Sequence, residues 1–205
     1  MSLKNRIIVG ISGASGVIYG VRLLEALKTL PVETHLVMSK AAEMTLAYET
    51  DFKPGEVRAL ADVVHGFVDV GAPIASGSFR TMGMVIAPCS VHSMAEIATG
   101  VTANLLTRAA DVTLKERRRL VLMLRETPLH TGHLRNMTAL SEMGAIIAPP
   151  VPAFYAKPTS VQDIVDHSVG RVLDLFGLET DLVRRWGEPP DEDGESGTRP
   201  KRRKR

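Results

Sequence analysis

Residues 6–16 read Arg6-Ile7-Ile8-Val9-Gly10-Ile11-Ser12-Gly13-Ala14-Ser15-Gly16, an unbroken apolar run that ends in a turn of small residues. A run without polar alternation suits a strand buried on both faces, and the glycines after it let the chain reverse sharply into a helix. The same grammar recurs downstream. Apolar runs at 35–38, 82–89, 120–125 and 145–148 read as further buried strands. Between or after them lie helical patterns at 17–30, where Leu23, Leu24, Leu27 and Leu30 share one face, and at 40–50, 93–99, 138–144 and 161–176, with Gly144 placed as a helix stop. Strand and helix in alternation imply parallel strands joined by right-handed crossovers. The predicted fold is therefore α/β: a single doubly wound, Rossmann-like (flavodoxin-like) parallel sheet with helices on both faces.

Composition agrees with one soluble domain. The chain has 205 residues, 44% apolar and 23% charged, and its aromatic content of five Phe, three Tyr and one Trp leaves a core of aliphatic residues and Met. So few aromatics argue against a base-stacking nucleic-acid platform. The formal charge of +2 is small once located: five acidic and six basic residues lie in 188–205, leaving 19 basic and 18 acidic before it, so the folded part is nearly neutral. We expect residues 1–187 to form the α/β domain and 188–205, ending Lys201-Arg202-Arg203-Lys204-Arg205, to be a solvated, disordered tail. One cysteine, Cys89, rules out an intrachain disulfide framework. There is no apolar run of about 20 residues to span a bilayer and no signal-peptide pattern, so the expected location is the cytoplasm.

Ligands in doubly wound sheets bind beyond the carboxyl ends of the strands, so chemistry is sought in the residues that follow each run. After the first come Gly13, Ala14, Ser15 and Gly16, whose backbone N–H groups and serine hydroxyl suit a phosphate. Ser12 interrupts a full dinucleotide fingerprint, and the second strand ends on Ser39 and Lys40 where a ribose-binding acid belongs. NAD is disfavoured by both features, and a mononucleotide with an open ribityl chain, such as FMN, fits better. After the third run stand Ser90, Val91, His92 and Ser93, of which Ser90 could be simply a helix cap. After the fourth come Arg125 and Glu126, charges at a buried strand end that need partners. Arg125 can bind phosphate or stack on a planar ring, and Glu126 can relay a proton. Tyr155 and Arg171 would add a hydroxyl and a second cation if the last helix folds over that edge. The scattered histidines and single cysteine give no metal pattern, and no G-x-S-x-G elbow is present. Cys89 reads as a small buried hydrophobe.

These motifs belong to a familiar set. Gly13-Ala14-Ser15-Gly16, Ser39-Lys40, Tyr48-Glu49-Thr50-Asp51, Ala75-Ser76-Gly77-Ser78-Phe79-Arg80, Ala87-Pro88-Cys89-Ser90, Arg108-Ala109-Ala110-Asp111-Val112, Lys115-Glu116-Arg117-Arg118, Arg125-Glu126-Thr127-Pro128-Leu129, Pro152-Ala153-Phe154-Tyr155 and Val169-Gly170-Arg171-Val172-Leu173-Asp174 together resemble the UbiX family of flavin prenyltransferases. The resemblance runs from Arg6 to Trp186. It implies transfer of a dimethylallyl group from dimethylallyl monophosphate to N5 and C6 of reduced FMN, without a metal. The product, prenylated FMN, would serve a UbiD-type decarboxylase. It further implies FMN contacts from Gly13, Ala14, Ser15, Ser39, Ser90, Val91, His92, Ser93 and Arg125, and prenyl-phosphate contacts from Arg108, Lys115, Tyr155 and Arg171. Catalytic roles are implied for Ser15, Glu49, Lys115 and Glu126, with Trp186 closing the pocket. A dodecamer with active sites between subunits is also implied. The competing readings are an FMN-dependent cysteine decarboxylase, against which Pro88-Cys89-Ser90-Val91-His92-Ser93 replaces the expected asparagine-containing stretch, and a non-catalytic FMN carrier or accessory subunit of a decarboxylase.

Overall fold

Ile7, Ile8, Val9 and Ile11 are all buried, so the first strand, β1 (Arg6–Ile11), has no solvent face. It occupies an interior position in the sheet, as its composition requires. The structure is a computed structural model and describes residues 5–187; the tail predicted at 188–205 lies outside the described residues. Five more strands follow: β2 (Glu33–Met38), β3 (Val63–His65), β4 (Gly83–Cys89), β5 (Arg119–Leu124) and β6 (Ile146–Ile147). Their order across the sheet is β3-β2-β1-β4-β5-β6 and every pairing is parallel. The order reverses between β1 and β4, the place where a doubly wound sheet opens a crevice at its carboxyl edge.

Side chains alternate between two helical layers. Ile7, Val9, Ile11, Val85, Ala87, Val121 and Met123 face α1 (Ile18–Lys28), α2 (Lys40–Glu49) and α7 (Val161–Asp174). Ile8, Met84, Ile86, Leu120, Leu122 and Leu124 face α4 (Val91–Thr99), α5 (Leu105–Lys115) and α6 (Thr131–Glu142). A short helix, α3 (Pro54–Arg58), completes the connection from α2 to β3. The layers sit very close to the sheet at one point: a Cβ on Gly20 of α1 would lie 2.3 Å from the Ala87 carbonyl oxygen.

The predicted strands and helices are present, with three additions, α3, β3 and α5, and one extension. Strand β3 is short and half-exposed, so it carries no apolar run to announce it. Helix α5 carries its buried residues before the charged stretch at 115–119 and ends at Lys115, with Arg117 in the left-handed region (φ 56°). Helix α6 begins seven residues before the predicted start, at Thr131, capped by the His130 ring, whose Nδ1 accepts from Gly132 N. Gly144 follows it with φ +101°, the conformation expected of a helix stop.

Candidate active site

The carboxyl ends of β1, β2, β4 and β5 are laced together by their own backbone. Ser12 is buried; its hydroxyl donates to the Pro88 carbonyl at 2.9 Å and accepts from Ser90 N at 2.8 Å. Ser39 N donates to the Ile11 carbonyl, and Arg125 N to the Cys89 carbonyl, both at 3.0 Å. From this platform two helices start. Ser39 caps α2 by accepting from Ala42 N, and Ser90 caps α4 by accepting from Ser93 N. The capping role expected of Ser90 is real, yet both hydroxyls also stand at the rim of a cavity.

That cavity, about 430 Å³, is lined by Gly13, Ala14, Ser15, Ser39, Ser90, Val91, His92, Ser93 and Arg125, together with Glu126. All nine residues assigned to FMN therefore meet in one place. The turn fits tightly against the next element: a Cβ on Gly13 would lie 2.3 Å from the Ala41 Cβ, so only glycine lets it lie there. Electrostatically, the N-termini of α2 and α4, Lys40 and Arg125 favour an anion, while the Ser93 hydroxyl, at the end of a Ser90→Ser93 hydrogen bond of 3.2 Å, can donate to a ligand. A phosphate and a polyhydroxylated chain both find partners here, so the residues present fit a flavin mononucleotide.

Other cavity residues carry no signal in a strand-end reading. Phe67 comes from the loop after β3, and Glu96 and Asn104 come from the end of α4 and the start of α5. Asn104 caps α5 through Oδ1 and donates from Nδ2 to Glu96 Oε2 at 3.1 Å. Tyr19 on α1 is also missed; burial raises its phenol pKa, and the nearby Arg125 cation opposes that rise. The His92 side chain is 79% exposed and 4.0 Å from Glu96. Cys89 is fully buried, and burial pushes its thiol pKa up to about 12, which makes it a packing residue.

One expectation is corrected. The Gly13–Gly16 turn does not offer all its N–H groups to a ligand, because Glu49 reaches back from the end of α2 and accepts from Gly16 N at 2.7 Å and Val17 N at 3.2 Å. A carboxylate of the chain itself satisfies the start of α1. Those two N–H groups are therefore taken up within the chain.

The four residues assigned to the prenyl phosphate do not line the cavity, and in a single chain they stand in three places. Arg108 pairs with Asp111 at 2.8 Å and donates to the Ala75 carbonyl. Lys115 closes α5 beside the start of β5, at the opposite edge of the sheet, and pairs with Glu116 at 2.5 Å. Tyr155 and Arg171 stand together at α7, where Arg171 binds Asp174 at 2.6 Å, and Arg185 binds the same carboxylate. Trp186 does not close the cavity here; it is 81% exposed and meets Tyr155 edge to face at 5.4 Å. Glu126, by contrast, does line the cavity, and one of its carboxylate oxygens accepts from Thr127 N at 3.0 Å. Among the described residues no three His, Cys, Asp or Glu side chains are grouped to hold a metal ion, and no helix is long and apolar enough to cross a membrane.

Comparison with known proteins bears on this geometry. The Flavoprotein family model matches residues 1–173. The flavin prenyltransferase UbiX of Escherichia coli strain K12 is 60% identical over 184 residues, covering 88% of this chain and 97% of that protein. Among solved structures, AnUbiX in complex with FMN and dimethylallyl pyrophosphate superposes with a TM-score of 0.89 at 55% identity, covering 91% of this chain and 99% of that one. A dodecameric FMN-dependent UbiX-like decarboxylase from Escherichia coli O157:H7 does so at 0.88 and 54%, covering 89% and 100%. The FMN-dependent cysteine decarboxylase TvaF, 16% identical with a TM-score of 0.58, shares the fold alone.

Proposed function

The chain belongs to the Flavoprotein family and, within it, to the flavin prenyltransferases, and from that premise we propose that it transfers a dimethylallyl group from dimethylallyl monophosphate to N5 and C6 of reduced FMN. The observation that carries this reading is the cavity at the reversal point of the sheet, which gathers all nine residues assigned to the flavin. Reduced FMN supplies the electron-rich nitrogen and carbon that take up the prenyl group. The chain's part is to hold it, with Ser39, Ser90 and Ser93 donating or capping at two helix starts and Gly13 permitting close approach.

Breaking an allylic C–O bond develops negative charge on the departing phosphate, so cations must already be in place. Arg108, Lys115 and Arg171, with the Tyr155 hydroxyl, supply them. In one chain these groups are apart from the cavity, which supports an assembly in which one copy brings its cations to the flavin cavity of another. We assign the chain to a dodecamer of that kind, like the solved Escherichia coli O157:H7 relative. Glu126 stands at the cavity wall with one carboxylate oxygen still able to accept a proton, which suits it to take the one released from C6 as the second bond forms. Ser15 and Glu49 belong to the same end of the site, where Glu49 holds the turn that carries Ser15. The product, prenylated FMN, would be handed to a UbiD-type decarboxylase.

The test is an anaerobic incubation of the protein with reduced FMN and dimethylallyl monophosphate, followed by mass spectrometry of the released flavin. A gain of one prenyl unit is expected. Parallel reactions with the diphosphate decide the donor, since the AnUbiX complex holds dimethylallyl pyrophosphate. Unmodified flavin recovered with both donors, from protein that binds FMN, would overturn the transferase reading in favour of a carrier.

A further inference from the structure

Helix α7 carries a histidine that lies outside the flavin cavity and has been given no role so far. His167 is only 9% exposed. The Tyr155 hydroxyl is 3.1 Å from its Nε2, and the two rings meet edge to face at 5.6 Å. Arg171 follows one turn later on the same helix, close enough for its charge to act on the ring. The backbone carbonyl of Arg184 also acts on the ring, favouring a proton there, while burial and the Arg171 charge oppose it. That carbonyl is within reach because residues 182 and 183 cross α7 at Gly170, where a Cβ would sit 2.4 Å from Val183 Cγ2. Trp186, three residues beyond Val183, meets the Tyr155 ring edge to face at 5.4 Å.

We propose that His167 is a positioning residue for prenyl transfer: it holds the Tyr155 hydroxyl in place beside Arg171, so that phenol and guanidinium meet the donor phosphate as one preformed unit. The proposal rests on the assignment of Tyr155 and Arg171 to that phosphate. Burial and the Arg171 charge favour the neutral ring; in the tautomer that carries its proton on Nδ1, Nε2 offers a lone pair to which the tyrosine O–H donates. The tyrosine itself sits on a single exposed turn and is 44% exposed, so without this bond its side chain would keep rotamer freedom that donor binding must remove. The edge-to-face contact with Trp186 is a second restraint on the ring. The histidine touches neither the flavin cavity nor any group assigned to the chemistry other than Tyr155, so its effect should be confined to use of the prenyl donor.

The experiment measures kcat and KM for dimethylallyl monophosphate at saturating reduced FMN, with FMN affinity and melting temperature as controls for folding. His167→Ala should raise KM roughly tenfold, the equivalent of one hydrogen bond, and leave FMN affinity unchanged. His167→Gln, whose amide reaches the Nε2 position, should recover most of that loss; His167→Asn, which is too short, should not. Should alanine prevent folding, the Gln and Asn pair carries the test. Tyr155→Phe should raise KM as much as His167→Ala, and the double variant should add nothing further. If Tyr155→Phe raises KM and no His167 variant does, or if the two effects simply add, the positioning role is wrong while the assignment of Tyr155 stands. If Tyr155→Phe leaves KM unchanged, the assignment and the inference fall together.

Discussion

The cavity at the strand ends and the cluster on α7 are organised in opposite ways. Around the cavity, the groups that set its shape are backbone or buried: Ser12 ties β1 to β4, Ser39 and Ser90 cap their helices, and Asn104 caps α5 while holding Glu96. Beside α7, Arg171 and Trp186 are exposed and Tyr155 is half-exposed, held by an exposed ion pair with Asp174, by the Tyr155–His167 hydrogen bond and by ring contacts. Exposed pairs of that kind contribute little to stability. One region is therefore shaped within a single chain, whereas the other is a set of side chains with room to move. On the assignment proposed above, the difference would divide the reaction, the flavin being held by the fold itself and the prenyl phosphate by side chains the fold can spare.

Removing a cation from the second region should give the largest effect and leave the first untouched. Arg171→Ala is expected to lower kcat/KM for dimethylallyl monophosphate on the order of a hundredfold, the scale of losing one charge-stabilising donor, with FMN affinity unchanged. Steady-state kinetics beside flavin titration checks this, and a matching loss of FMN affinity would show that the two regions are one. The converse variant is Gly13→Val. Its Cβ would sit 2.3 Å from the Ala41 Cβ, an overpacking cost to stability of about 1–3 kcal/mol; the displaced turn should also weaken FMN binding, by about tenfold or more. At saturating FMN the KM for the prenyl donor should stay as it was; a change there would break the separation from the other side.

The same contrast explains what could be read before the fold was known. Residues 6–16 gave both a central strand and the turn after it, because burial on two faces leaves an unbroken apolar run and a strand end has a fixed place in the sheet. Ser39, Ser90 and Arg125 were legible for the same reason. Glu96, Asn104, Phe67 and Tyr19 were not, since they reach the cavity or its surroundings from helix interiors and a loop, where no local pattern marks them. Asn104 differs from the others in being a capping residue before an apolar-periodic stretch, a pattern that marks a helix start and not a cavity wall. Glu49 was implied by family resemblance alone, and nothing in its spacing foretold that it would occupy the N–H groups of Gly16 and Val17. The clustering of Tyr155 with Trp186 depends on the chain after α7 crossing back over Gly170, a tertiary contact that sequence periodicity does not encode.

A smaller perturbation sharpens the claim that the first region is built by the backbone. Ser12→Ala removes a buried hydroxyl that both donates to Pro88 O and accepts from Ser90 N. Leaving Ser90 N without that partner should cost about 1–3 kcal/mol of stability. Because Ser90 begins α4, FMN affinity should fall with it by a few-fold, while use of the prenyl donor at saturating flavin stays constant. Chemical denaturation and flavin titration read the two effects separately. A variant of unchanged stability would mean that the lacing between β1 and β4 does not depend on this side chain.

The smallest effect concerns acid and reaches the cavity through the edge of the sheet. His35 on β2 is buried, its Nδ1 lies 2.9 Å from His65 Nε2, and its Nε2 lies 3.2 Å from Glu33 Oε1. With Nε2–H given to Glu33, Nδ1 of His35 must accept the hydrogen of His65 Nε2, so the His35 ring is neutral in this arrangement. Burial lowers the pKa of each; for His35, Glu33 opposes the shift and Arg6 adds to it, and for His65 the neighbouring His35 adds to it. Groups whose folded pKa lies below the unfolded value of about 6.5 contribute stability that is complete above that pH and is lost as pH falls toward the folded pKa, because the unfolded chain takes up protons first. Between pH 7.5 and 5.5 the wild-type melting temperature should therefore fall more than that of His65→Gln, whose amide can still donate to His35 but takes up no proton, by a few degrees. Two residues after His65 the chain places Phe67 in the cavity wall, and the Phe67 carbonyl accepts from Leu105 N at the start of α5. Acid should accordingly weaken FMN binding more in the wild type than in His65→Gln. Parallel melting and binding curves for the two proteins would show that the histidine pair is a passive part of the edge.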